Sequence, residues 1–347
     1  MQIENKNYSC IDIIKFLMSF FVVAIHIQPF VAFEQLSFYR FYDSMLRLAV
    51  PFFFMVTGFF LTKKMKKLPQ DKWASVFFDA AQKNLRLYLI WTLIYFPLAV
   101  YGFVFIQHCS FAKAVVRYVL NLFFVGENYN SWILWYLLSA VYALMFFGIL
   151  VKYNCSLKIC VIAGIFIYML GLGFDVVVHH FSDFRGVYIL MAVFRNGRLA
   201  TGFGFIGGGI IMSNCKLPSL RVMGIGFAVS FLAYAFFEEY TFAQTFLFIA
   251  SLCFFRCILL LPICTKNKNL FLYFRECSSV LYFLHLLIWT LYYEFVFNRN
   301  PHGLEPFLVT ISICMIIATF WFIFKNWYKK NRTASKLCCE KEMREKI

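Results

Sequence analysis

Long apolar runs separated by short polar breaks dominate this chain. Stretches of about 18 residues or more, enough to cross a bilayer core, fall at 10–33, 45–62, 85–107, 131–151, 157–178, 196–213, 219–237, 241–264, 278–297 and 304–327. They predict ten transmembrane helices in an all-α bundle. The sixth is loosened by Gly202, Gly204, Gly207, Gly208 and Gly209 and crowded at its start by Arg195 and Arg198. The run at 111–125 is short and carries Lys113 and Arg117, which reads as an interfacial or re-entrant segment. A single membrane domain over 1–330 is expected, followed by a mixed-charge tail at 331–347.

Composition supports this pattern. Of 347 residues, 62% are hydrophobic and 14% charged, well below the roughly 25% charged residues of soluble globules. The net charge of +16 raises nucleic acid as a partner, but its distribution favours membrane topology. With the N-terminus inside, 23 basic residues fall in the tails and inner loops, and eight (Arg40, Arg47, Lys113, Arg117, Arg185, Arg195, Arg198, Arg299) fall in the outer loops and their flanks. That asymmetry places both termini in the cytoplasm. Membrane lipid is the expected surrounding, with anionic headgroups near 63–72 and the tail. The first span is too long for a signal-peptide core and lacks a small-residue cleavage site, so it is expected to be retained. Of twelve cysteines only Cys109 lies clearly outside, and no disulfide framework is expected.

Polar residues inside the spans are costly and call for a reason. Lys15 and His26 lie eleven positions apart in helix one, three turns plus about 20°, so they share a face roughly 16 Å apart along the axis. Asp12 and Ser19 fall within about 60° of Lys15. Asp12 is expected to pair with Lys15. In helix two, Pro51 frees a carbonyl, Thr57 can bond across helices and Gly58 admits close approach; alone, these describe an ordinary kinked, packed helix. His285 sits three residues after Tyr282, which could orient it; a lone histidine in a span is more often a packing residue than a catalyst. Lys83 and Arg86 form a basic mouth on helix three, suited to headgroups or to a phosphorylated donor. Arg195 and Arg198 share a face at the outer end of helix six. His179, His180 and Asp183 make a weak metal pattern, and no metal is expected.

Together these residues resemble the acyltransferase-3 family of integral membrane enzymes, which move acyl groups onto carbohydrates and other acceptors. The likeness rests on Asp12-Ile-Ile-Lys15 with ten residues before His26, on Val50-Pro-Phe-Phe-Phe-Met-Val-Thr-Gly-Phe, on Arg86, on Trp135-Tyr136-Leu and on Leu281-Tyr-Phe-Leu-His285. It departs from the family pattern in two places. Lysine stands where many members carry arginine, losing the bidentate fork, and Thr57 replaces a serine but keeps the hydroxyl. No fused esterase-like domain is expected.

The resemblance implies transfer of an acyl group, acetyl first among them, from cytoplasmic acyl-CoA to a hydroxyl of a surface polysaccharide or its lipid-linked precursor. Acyl-CoA is then a co-substrate, with no tightly bound cofactor. His26 is expected as general base or as a transiently acylated nucleophile. Lys15 would contact CoA phosphates or charge on the thioester oxygen, held by Asp12. Arg47, Arg86, Arg195, Arg198, Thr57, Tyr282 and His285 are candidate donor- or acceptor-positioning groups. A rival reading is a transporter of an amino acid or modified glycan, because membrane domains of this family fused to serine racemases are linked to substrate uptake; a structural subunit of an export complex is the bland third option. The oligomeric state is open on sequence alone.

Overall fold

A computed structural model describes residues 9–180, 198–214, 218–261, 268–297 and 301–344. Among them the chain is helical throughout and carries nine segments long and apolar enough to cross a membrane: Cys10–Ile27, Phe38–Met65, Gln70–Ile106, Leu134–Lys152, Leu157–Val177, Leu220–Phe237, Ala243–Leu260, Asn269–Phe295 and Leu304–Tyr328. Nine of the ten expected spans correspond to these. The tenth, expected at 196–213, forms a helix of 17 residues over Arg198–Asn214 among the described residues. The chain divides into two compact units, Met1–Ile11 with Phe30–Ile263, and Asp12–Pro29 with Cys264–Ile347.

The first unit contains α2 (Ser37–Leu46), α3 (Ala49–Met65), α4 (Trp73–Tyr101), α5 (Phe111–Leu120), α6 (Leu134–Lys152), α7 (Leu157–His180), α8 (Arg198–Asn214), α9 (Leu220–Phe237) and α10 (Ala243–Leu260). Helix two does not kink at Pro51. The chain breaks at Arg47 and Leu48, which puts Pro51 in the first turn of α3, where a missing N–H costs nothing. Helix three starts earlier than its apolar run suggests, at Trp73, whose indole donates to the Leu68 carbonyl at 3.1 Å. Arg86 therefore lies about 20 Å into the helix, on an exposed face, rather than at its mouth.

The glycines of α8 tighten this unit. A Cβ on Gly209 would lie 2.1 Å from the Met55 carbonyl oxygen, and one on Gly58 would lie 2.1 Å from that of Ile206, so α3 and α8 meet backbone to backbone. On the α6 side, Ser139 Oγ donates to the Leu199 carbonyl at 2.9 Å and accepts from the Gly202 N–H at 2.9 Å. Without side chains in the way, dispersion contacts and short polar contacts join helices that have no hydrophobic drive to associate in lipid.

The segment 111–125, expected to be interfacial or re-entrant, doubles back on the helix before it. α5 folds back along α4, with Phe96 against Tyr118 at 5.5 Å and the Tyr88 hydroxyl donating to the Leu122 carbonyl at 2.6 Å. It ends in a π-helical turn, Asn121–Val125, and a left-handed Gly126.

The second unit holds α1 (Ser9–Ile27) from Asp12 onward, α11 (Lys268–Thr290) with its π-helical extension Leu291–Phe297, and α12 (Leu304–Arg344). α1 stops at Ile27, short of the expected residue 33, because Gln28 turns left-handed (φ 51) and Pro29 follows. α12 runs antiparallel to α11, tied by Tyr292 to Glu305 at 2.9 Å, Tyr273 to Thr319 at 2.9 Å, and Lys325 to Glu276. Its backbone stays helical into the expected tail, to Arg344. α1 and α11 run parallel. Arg275 grips both oxygens of Asp12 at 3.2 and 2.7 Å, Ser278 donates to the Lys15 carbonyl at 3.2 Å, and Phe16 stacks on Phe274 at 4.9 Å.

Two outcomes follow from this packing. Gly58→Ala and Gly209→Ala each force two backbones apart and should cost about 1–3 kcal/mol, read as a lower melting temperature of the detergent-purified protein. Gly207→Ala, whose new Cβ meets nothing closer than 3.8 Å, should leave it unchanged; equal loss in all three would contradict backbone contact as the cause. Arg275→Gln strands the Asp12 carboxylate, whose side chain is 11% exposed against 55% for the guanidinium, and should cost on the order of 1 kcal/mol. Adding Asp12→Asn to Arg275→Gln should restore most of that, because the stranded charge is gone.

Candidate functional site

The stripe on α1 faces a second stripe. Positions 12, 15, 19 and 26 are spaced by three, four and seven residues, and on α11 Arg275, Ser278, Tyr282 and His285 are spaced by three, four and three. Each set lines one side of its helix, and the parallel packing brings the two sides together. At one end lie Asp12, Arg275 and Lys15; the Lys15 ammonium is within electrostatic range of both other charges. Arg275, which sequence reading left in an inner loop, is thus Asp12's bidentate partner, in the place where pairing with Lys15 was expected. Ser19 spends its hydroxyl on its own helix, donating to the Phe16 carbonyl at 2.6 Å.

At the other end are the two histidines. The rings of His26 and His285 stack with centroids 5.5 Å apart and planes 27° from parallel. His285 is fully buried and His26 half-buried. Ile27, Leu281 and Leu286, all fully inaccessible to within 1%, share this stretch of the two helices. The end of α1 is further held by the Gly303 N–H, which donates to the Ile27 carbonyl at 3.2 Å.

The backbone fixes the tautomer of His285. Its Nδ1 lies 2.8 Å from the Leu281 carbonyl oxygen, and a carbonyl can only accept, so Nδ1 carries the proton. The lone pair is then on Nε2, which is buried without a hydrogen-bond partner among the described residues. The carbonyl of Leu281, one turn back on the same helix, is what turns this ring; the sequence had offered Tyr282 for that role. Tyr282 is buried and packs edge-on against Phe283 at 5.1 Å. An unsatisfied buried acceptor costs about 1–3 kcal/mol, and such groups are uncommon enough that each needs an explanation. The fixed ring thus presents its Nε2 lone pair in an apolar setting. The stack also answers the expectation of a lone packing histidine: His285 has a second imidazole beside it.

The other candidates lie in the first unit. Thr57 donates to the Phe53 carbonyl at 3.1 Å, and its hydroxyl also meets that of Tyr136, whose ring sits 4.3 Å from Phe54. The Pro-x-Phe-Phe segment and the Trp-Tyr-Leu segment are therefore neighbours. Arg47 is bidentate to Asp43, one turn earlier, at 3.1 and 2.9 Å. Nearby, Glu238 accepts from Ser44 at 2.8 Å. Burial pushes the Glu238 carboxyl up, against the lowering effect of that hydrogen bond and of Arg47. Arg198 is ion-paired with Glu127 and lies over the Trp135 ring at 5.6 Å. Arg195 and Asp183 fall outside the described residues, as do the side chains of His179 and His180. Among the described residues no three of histidine, cysteine, aspartate and glutamate gather into a metal-binding group, and the cysteines, Cys109 included, are free.

Half of the chain is similar to part of an amino-acid racemase from Enterococcus faecalis, 30% identical over 169 residues, which are 49% of this chain and 22% of that protein. A serine/alanine racemase from Enterococcus gallinarum is 28% identical over 172 residues, 50% of this chain and 23% of the relative. The matched stretches thus cover less than a quarter of these curated relatives. No solved structure matches. Residues 8–325, which hold both the α1–α11 stripes and the joined segments of α3 and α6, match the acyltransferase-3 family, described as an acyltransferase domain. By that match over nearly its whole length, the chain belongs to the acyltransferase-3 family of membrane acyltransferases.

Proposed function

We propose that this protein transfers an acetyl group from cytoplasmic acetyl-CoA to a hydroxyl of a cell-surface polysaccharide or its lipid-linked precursor, as a multi-pass protein of the cytoplasmic membrane. The observation that carries this reading is the stacked His26–His285 pair with an unpaired, backbone-fixed Nε2. Esterification needs a base at the acceptor oxygen. The hydroxyl proton passes to imidazole as the oxygen bonds to the thioester carbon; the carbon–sulfur bond breaks, and the departing CoA thiolate takes up the proton as free thiol. The products are the ester and CoA, and no tightly bound cofactor is required.

His26 is the half-exposed member of the pair and faces substrate, as general base or as the nitrogen that briefly carries the acyl group. His285 buttresses it through the ring stack. Lys15 and Arg275, held beside Asp12, take the phosphates of CoA. The roughly 16 Å between Lys15 and His26 is the kind of separation that a pantetheine arm bridges between phosphate and thioester. Arg47, Arg86 and Arg198 keep positioning roles for donor or acceptor, as does the Thr57–Tyr136 pair.

A second reading comes from the relatives, an amino-acid racemase and a serine/alanine racemase: this membrane domain would pass an amino acid without chemistry. Deleting the protein from its producing cell and recording NMR spectra of the surface glycans separates the two. Acetyl transfer requires loss of O-acetyl signals, restored by the wild-type chain and not by His26→Ala or His285→Ala at equal protein level, each variant losing about 10²–10⁴-fold in rate. Fully acetylated glycan in the deletion strain overturns the proposal. Labelled serine entering proteoliposomes, with His26→Gln tolerated, would establish the transport reading instead.

A further inference from the structure

The first unit contains a polar cavity of about 430 Å³ that the chemistry of the two histidines does not use. Its floor is the hairpin of α5, and its wall is the π-helical turn Gly102–Ile106 that ends α4. Backbone that leaves regular helix at membrane depth is tolerated only where it is buried in protein or lines a wet cavity. Residues of the π-helical turns Gly102–Ile106 and Asn121–Val125 line the cavity. The Leu122 and Phe123 carbonyls are capped by the Tyr88 and Tyr142 hydroxyls, each at 2.6 Å. Two π-helical turns bordering one cavity are a costly arrangement and such turns concentrate at functional sites.

The lining has a definite chemical character. Arg117 donates to Gln107 Oε1 at 2.8 Å, and Asn121 donates to Asn128 Oδ1 at 3.2 Å. These bonds fix the side chains and leave the Gln107 amide NH₂, the Asn121 carbonyl oxygen and the Asn128 amide NH₂ with no bond among the described residues. Donors and acceptors of neutral, planar amides thus alternate around the rim. Tyr129 and Trp132 add aromatic side chains to the lining, with Tyr129 pressed so closely on Gly102 that a Cβ there would come within 2.3 Å of it. The one carboxylate, Glu127, has its charge offset by Arg198. A site that offers many neutral hydrogen bonds and aromatic side chains fits a ligand with many hydroxyls and apolar C–H faces, and the volume lies within the usual range for small-ligand sites.

We propose that this cavity is a saccharide-binding site, with Trp132 and Tyr129 stacking on a sugar ring and Gln107, Asn121 and Asn128 bonding its hydroxyls. The saccharide class follows from the lining itself; that the bound sugar is the acyl acceptor rests on the proposed transfer reaction. A zwitterionic amino acid is the alternative occupant and is disfavoured because Glu127 and Arg117 already have partners.

Saturation-transfer NMR on the full chain in lipid nanodiscs, with cellobiose, chitobiose and lactose as probes and serine and alanine as competitors, tests this directly. Transfer to ring C–H protons of at least one disaccharide is expected, undiminished by either amino acid. Gln107→Ala, at an exposed position that folding does not depend on, should weaken binding by about 2–10-fold, and Trp132→Leu should abolish the signal. No transfer to any of the sugars, displacement by serine or alanine, or binding indifferent to both variants would overturn the assignment. The measurement needs no acyl donor: sugar bound by a chain that does not transfer acetyl would leave the site standing and remove the reaction, and the converse would do the opposite.

Discussion

The α1–α11 seam is the constraint on which the second unit depends. Two membrane helices run parallel with their polar stripes turned toward each other, and every ionisable group in the stripes has a neighbour in the opposite helix or its own backbone. Asp12 meets Arg275, Ser278 meets the Lys15 carbonyl, and His26 meets His285. In lipid such groups are tolerated only on a protected face, so the chemistry and the packing impose the same helix rotation. The apolar remainder of the seam, with Phe16 on Phe274 and the buried Ile27, Leu281 and Leu286, keeps that rotation fixed and His285 away from solvent.

Packing in the first unit follows another logic. Its helices approach through absence of side chain, at Gly58 and Gly209, and through short polar contacts such as Ser139 with Gly202. This close fit makes a rigid wall from α3, α6 and α8, and it sets Thr57 beside Tyr136 and Arg198 over Trp135. Two π-helical turns, at the α4 end and after α5, mark where regular helix gives way to the polar cavity. Rigidity on one side and broken helix on the other is the arrangement by which membrane proteins form a polar pocket without exposing backbone to lipid.

Much of this was legible in the residues. Hydrophobic runs gave nine of the spans, and the eleven-residue interval placed Lys15 and His26 on one face before any partner was known. What escaped was what a single helix cannot encode. Arg275 was missed because the apolar run begins at 278, although its spacing from Ser278 and His285 puts it on their face. The tautomer of His285 depends on a carbonyl one turn away, which no residue type announces. Arg86 shifted because a helix can extend well past its apolar part, and Pro51 lost its kink because the break came at Arg47 and Leu48. The glycines of α8, read as loosening, tighten it, since their effect depends on which backbone lies opposite. Glu127 drew no notice until the fold brought it to Arg198.

Whether His26 and His285 work as one unit can be measured by a double-mutant cycle on the transfer rate. The rate of CoA release from acetyl-CoA in the presence of acceptor would be compared for wild type, His26→Ala, His285→Ala and the double variant, at equal amounts of folded protein. Groups that act together lose their contribution at the first substitution, so the double variant should be no slower than the slower single one. Losses that multiply, as for independent groups, would contradict the pairing of the two imidazoles.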